Sequence, residues 1–173
     1  MSDTPLPKKI DFFRSAKEQR QVLGYLEVED LPRFGLAIDK LLSPVDVVLR
    51  FDRDRNGQFF LTGQLTADCQ LVCQRCLEPF SYRLESRLNL GFASTEKYLQ
   101  RVDKDYDPCL VSQGEQILAE VLEDELILSL PSISAHKPAC RDASYVSGEL
   151  ADAVDLRKNP FADLASMMGK ETD

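Results

Sequence analysis

Asp68-Cys69-Gln70-Leu71-Val72-Cys73-Gln74-Arg75-Cys76-Leu77-Glu78-Pro79-Phe80 joins two long alternating runs through a pair of cysteines separated by two residues. Upstream, Phe59, Leu61, Gly63 and Leu65 alternate with Phe60, Thr62, Gln64 and Thr66, and the same parity continues through Ala67, Cys69 and Leu71 to Cys73. Successive side chains on a strand point to opposite faces, so this apolar face leads directly to the first sulfur. Downstream, Phe80, Tyr82, Leu84, Ser86, Leu88 and Leu90 form the inward set of another strand, with Arg83, Glu85, Arg87 and Asn89 facing out. Before both, Asp46–Asp52 places Val47, Leu49 and Phe51 on one face and ends at a turn containing Asn56-Gly57, a strong hairpin signal. These runs predict a three-stranded antiparallel meander whose second turn carries the Cys73/Cys76 pair.

Working outward, Val22, Gly24, Leu26 and Val28 show period two, and Leu31–Ile38 reads as a short helix with Asp30 as its cap and Pro32 near its start. Ser112-Gln113-Gly114-Glu115 has the S-x-x-E form of a capping box. It announces a helix over 115–130 with Ile117, Leu118, Val121, Leu122 and Leu126 as its apolar stripe and Glu120, Glu123, Asp124 and Glu125 mostly opposite, stopped by Pro131. The fold expected is α+β: an antiparallel curved sheet or partial β-barrel, with strands near 22–28, 46–53, 58–73 and 79–91, packed by one long helix. Residues 1–21 read as an N-terminal arm whose two phenylalanines pack on the main domain, 22–140 as that domain, and 141–173 as a linker and a short mobile C-terminal helix. Cys109 reads as a buried apolar residue in a short strand.

The 173 residues are enough for one core, and the balance of 43% apolar and 29% charged residues is that of an ordinary globular protein. No apolar run approaches the roughly 20 residues that span a bilayer, and the first residues resemble no export or transit signal, so a cytoplasmic location and no membrane partner are expected. Net charge is −8. Residues 1–93 carry 13 acidic and 13 basic groups, so the acidic excess lies wholly in residues 94–173. Acidity of that kind argues against extensive sequence-independent RNA binding. Arg75, Arg83 and Arg87 nevertheless offer a local RNA-contact set, to be weighed against pairing with neighbouring carboxylates on a solvated sheet face.

Five cysteines in a chain with no export signal are better suited to reduced thiols or metal ligation than to a disulfide framework. His136, the single histidine, stands four residues before Cys140. Cys73, Cys76, His136 and Cys140 would together make the Cys3His set of a closed structural zinc site, the one cofactor the sequence suggests. Unliganded thiols and a redox CxxC are the competing readings, the last disfavoured because no βαβ pattern surrounds the pair. The phosphate-loop, dinucleotide, nucleophile-elbow and zinc-protease motifs are absent, so no catalytic residues are assigned and no enzyme is expected. Asn159-Pro160-Phe161-Ala162-Asp163-Leu164-Ala165 opens a last helix with a Phe161, Leu164 and Met168 stripe, too short to stand alone in water.

Leu71-Val72-Cys73-Gln74-Arg75-Cys76, then Glu123–Pro131 followed by His136, then Asn159–Ala165, in that order, resemble the bacterial YceD family of large ribosomal RNA subunit accumulation proteins. The resemblance runs from about Gly24 to the carboxyl end. It implies a cytoplasmic, non-enzymatic factor supporting synthesis, processing or stability of large-subunit (23S) ribosomal RNA. Its partners would be that RNA or a pre-ribosomal particle, or a ribosomal or RNA-processing protein docked on Asn159, Pro160, Phe161, Leu164 and Met168. A zinc-binding or thiol protein serving as chaperone or metal handler for a large-subunit ribosomal protein is the alternative. Some relatives carry a fuller cysteine set after the apolar helix, where this chain has only His136 and Cys140.

Overall fold

Three consecutive strands dominate the computed structural model, which describes residues 4–137 and Cys140. They are β4 (Val45–Arg53), β5 (Phe59–Val72) and β6 (Pro79–Ala93), preceded by β1 (Lys9–Asp11), α1 (Phe12–Lys17), β2 (Gln21–Leu26), α2 (Pro32–Ala37) and β3 (Lys40–Leu41). After them come α3 (Glu96–Leu99), β7 (Asp107–Leu110), β8 (Glu115–Ile117) and α4 (Leu118–Leu128). The main sheet runs β2-β4-β5-β6-β7, with β3 paired to β5 beyond the end of β4. β4, β5 and β6 form the expected antiparallel meander, from Arg53 opposite Phe59 to Val72 opposite Pro79. β7 adds parallel to β6, and the polar 94–106 loop with α3 makes the crossover. The path is open, so the sheet does not close into a barrel.

Alternation determines the core. Val47, Leu49 and Phe51 of β4, Leu61, Leu65, Ala67 and Leu71 of β5, and Leu84, Leu88, Leu90 and Phe92 of β6 are all buried. The 1–21 segment supplies Leu6, Ile10, Phe12 and Ala16 to the same core. The Phe12 ring stands edge-on to Phe51 and Phe92 at centroid distances of 5.4 and 5.6 Å, a geometry that suits the ring quadrupoles.

The expected 115–130 helix is shorter. α4 has 11 residues, and Glu115–Ile117 instead form β8, antiparallel to β1. The capping-box reading at Ser112 fails because β1 offers Glu115 and Gln116 strand partners, which a local propensity cannot foresee. Helical packing is shared by α1, α2 and α4, so no single long helix covers the sheet. Val28, assigned by its parity to the second strand, lies in a 3-10 turn after Leu26.

Glu123, placed by its polarity on the solvent side of α4, is buried and caps α2. The residue preceding α2, Leu31, has no side chain able to accept from the first helical amides. Glu123 Oε1 instead accepts from the amides of Arg33 and Phe34, and Oε2 from Arg33 Nε at 2.8 Å. No helix among the described residues is long and apolar enough to cross a membrane.

Candidate metal centre

β5 delivers Cys73, fully buried, at the end of its inward-facing series. The chain then reverses: the Leu77 amide donates to the Cys73 carbonyl at 2.9 Å and the Cys73 amide to the Glu78 carbonyl at 2.9 Å. Leu77 takes φ 63°, a left-handed conformation more common for glycine, and this lets the turn close so tightly. The backbone amide of Arg75 points back at Cys73 Sγ, 3.4 Å away.

The second half of the site comes from the segment after α4, which two contacts fasten to the turn. The Gln74 amide donates to the Ser134 carbonyl at 2.8 Å, and the Arg75 guanidinium to the His136 carbonyl at 2.9 Å. The Phe80 ring at the start of β6 lies 5.0 Å from the His136 ring and limits where the imidazole can turn.

Cys73, Cys76, His136 and Cys140 therefore meet, with one ligand atom from each lying within 4.8 Å of all the others. Cys73 Sγ is 3.5 Å from Cys140 Sγ, and Cys76 Sγ is 3.4 Å from His136 Nδ1. A tetrahedron with Zn–S bonds of about 2.3 Å and a Zn–N bond of about 2.0 Å has edges of roughly 3.5–3.8 Å, which these two distances approach. Burial by itself would raise the Cys73 thiol, but the amides of Cys76, Arg75 and His136 and the Cys140 thiol together hold it down to about 5. Cys76 is raised: the Glu78 amide favours its thiolate, but burial and the two neighbouring thiols outweigh that. The hydrogen bonds to Cys73 thus favour its thiolate, the form that ligates metal. The Cys3His set could hold a metal ion and suits a closed, four-coordinate structural site.

The other two cysteines have different environments. Cys69 is buried and raised by desolvation, with its Sγ 3.5 Å from the Tyr82 carbonyl. Burial pushes Cys109 up to about 11. Both act as packing residues.

All four clustered residues fall inside residues 61–168, the span matched by the family described as "Large ribosomal RNA subunit accumulation protein YceD". The chain belongs to the YceD family. A Haemophilus influenzae protein bearing that same description is 29% identical over 174 residues, covering 98% of this chain and all of the relative. No solved structure matches the chain.

In this YceD member, Arg75, Arg83 and Arg87 have different surroundings. Arg75 is engaged with the His136 carbonyl on the cysteine turn. Arg83 pairs with Asp68 and Glu85, each at 3.3 Å. Arg87 stands opposite Gln64 on the outer sheet face and makes no ion pair among the described residues. Asn159, Pro160, Phe161, Leu164 and Met168 lie outside the described residues. Gln74, Phe80 and Ser134, which orient the cluster, carried no sequence signal, since two of them act through backbone groups. An aromatic cavity at the other end of β5, between Phe13, Phe59 and Tyr98, was likewise missed. The Tyr98/Arg101 spacing in α3 and after it was its only hint.

Proposed function

We propose that this protein is a non-enzymatic factor supporting the accumulation of large-subunit (23S) ribosomal RNA, and that Cys73, Cys76, His136 and Cys140 hold one structural zinc ion. Membership of the YceD family carries the first part of this reading, because the relative spanning the whole chain bears the description of a large ribosomal RNA subunit accumulation protein. The convergence of the Cys3His donors supports the second. When bound, zinc would supply no reaction centre: all four positions would be filled by protein, leaving none open for water or substrate. Its role is to tie the turn between β5 and β6 to the segment following α4, so that both present a rigid surface to the pre-ribosomal particle.

Two measurements test this reading. In a strain lacking the gene, 23S rRNA should fall relative to 16S rRNA and recover on complementation; an unchanged ratio overturns the ribosomal reading. Protein purified without added zinc should carry about one equivalent of metal, and Cys73→Ser should carry none. Stoichiometric zinc in Cys73→Ser, or none in the wild type with all thiols titratable, overturns the zinc site.

A further inference from the structure

β5 spans 14 residues, about 40 Å of strand, so its first residue lies far from the cysteine turn at its end. Beside that first residue is an open cavity of about 270 Å³ lined by Phe13, Gln58, Phe59, Phe92, Tyr98 and Arg101. Phe92 forms its buried floor, stacked on Phe59 with ring planes 18° apart and centroids 6.1 Å apart. Phe13 stands edge-on to both. Tyr98 leaves 56% of its surface exposed at the rim.

Two arginines at this rim stand against aromatic rings instead of a carboxylate. Arg14, Arg33, Arg50 and Arg83 each hold a carboxylate. Arg53 and Arg101 hold no carboxylate among the described residues, Arg53 Nε donating instead to the Gly57 carbonyl at 3.2 Å; their guanidinium groups lie 5.2 Å from the Phe59 centroid and 5.9 Å from the Tyr98 centroid. The carboxylate of the adjoining turn, Asp54, is engaged by the amides of Asn56 and Gln58 and by the Tyr106 hydroxyl. Ring faces flanked by unpaired guanidinium groups are the combination that binds unstacked bases and their phosphates. An aliphatic peptide side chain would use the rings but not the cations.

Gln58 adds a direction to the site. Its Nε2 donates to the carbonyls of Phe59 and Phe92 at 2.7 and 3.2 Å. That orientation leaves Oε1, a pure acceptor, without a protein partner among the described residues. A base edge carrying an N–H can donate to it, whether the amino group of adenine or cytosine or the N3–H of uracil.

We propose that this cavity binds one unpaired nucleobase of single-stranded RNA, with Arg53 and Arg101 contacting the flanking phosphates. The proposal rests on the ribosomal RNA reading above and deepens it by naming the contact. Fluorescence anisotropy of labelled hexaadenylate, hexacytidylate and hexauridylate with the full-length protein tests it. All three should bind, hexaadenylate most tightly because adenine presents the larger stacking face. Tyr98→Ala, at an exposed position, should weaken binding roughly tenfold through lost stacking. Arg101→Gln should weaken it and reduce the salt slope by about 0.7 for one lost phosphate contact. Gln58→Leu should weaken binding of all three through the lost acceptor.

Binding undiminished in Tyr98→Ala overturns the proposal. So does absence of binding to any of them; if the deletion strain is still short of 23S rRNA, the pocket alone is wrong and the functional reading stands. Binding weakened in Tyr98→Ala supports the pocket, and with normal 23S rRNA in the deletion strain it would overturn the ribosomal reading instead.

Discussion

Asp52 shows how one side chain can join distant parts of the chain. Its Oδ1 accepts from the Gln19 side-chain amide at 3.0 Å and from the Arg53 backbone amide at 2.8 Å, and its Oδ2 from Arg50 at 2.9 Å. Gln19, the residue reaching it, takes φ 51° in the connection between α1 and β2. These donors, led by the Gln19 amide and then the Arg53 amide, outweigh desolvation and lower the Asp52 pKa. A carboxylate lowered on folding contributes stability that is fully present above its unfolded pKa, about 4, and is lost as pH falls through the folded value. Asp52→Asn should therefore destabilise the protein by about 1–2 kcal/mol at pH 7. In urea titrations across a pH series the gap from wild type should close below about pH 4, and a gap independent of pH would refute the account. Position 52 is an example of what a sequence reading loses at this scale: strand parity places Phe51 inward correctly, but nothing in the sequence around Asp52 identifies Gln19 as its partner.

At the scale of elements, α2 and α4 are held together by Glu123. With Leu31 preceding it, α2 has no cap of its own, and its Arg33 and Phe34 amides are satisfied across 90 and 89 residues of sequence. Removing the acceptor strands two amides at a buried contact, so Glu123→Ala should cost about 2–4 kcal/mol in denaturant unfolding. Arg33→Ala should cost much less than Glu123→Ala, because the Arg33 side chain is half exposed and its ion pairs are screened. Comparable losses in the two variants would mean that the ion pair, not the cap, holds the helices together. Polarity read along α4 misplaces Glu123, since a helical wheel ranks residues by their preference for water and cannot represent an acceptor needed by another helix. The strands were more legible than the helices, because alternation over 9 to 15 residues in β4, β5 and β6 leaves one register that buries the apolar face.

Across the whole molecule, the cysteine cluster and the aromatic cavity occupy opposite ends of the β5–β6 hairpin, with the core between them. That core is built from buried side chains of every sheet strand from β2 to β6 except β3, and it does not depend on the cluster for its packing. Chelation should therefore release the segment around Ser134 without unfolding the sheet. In hydrogen exchange, the Gln74 amide should lose protection while amides of the β4–β5 ladder keep theirs, and the affinity for hexaadenylate should stay within about twofold, as expected for sites this far apart. Global loss of protection on chelation would show that the metal centre is part of the folding unit. By itself, the sequence determined the meander, the inward parity running to Cys73, the membership in a ribosomal family and the residue types able to ligate a metal, because periodicity and spacing are local properties of a chain. The tertiary structure alone decided that His136 and Cys140 reach Cys73 and Cys76, that Glu123 caps α2, and that rings from α1, β5 and β6 surround one cavity. Each of these joins residues distant in sequence, and such proximity is set by how the whole apolar surface packs, not by any segment's own preference.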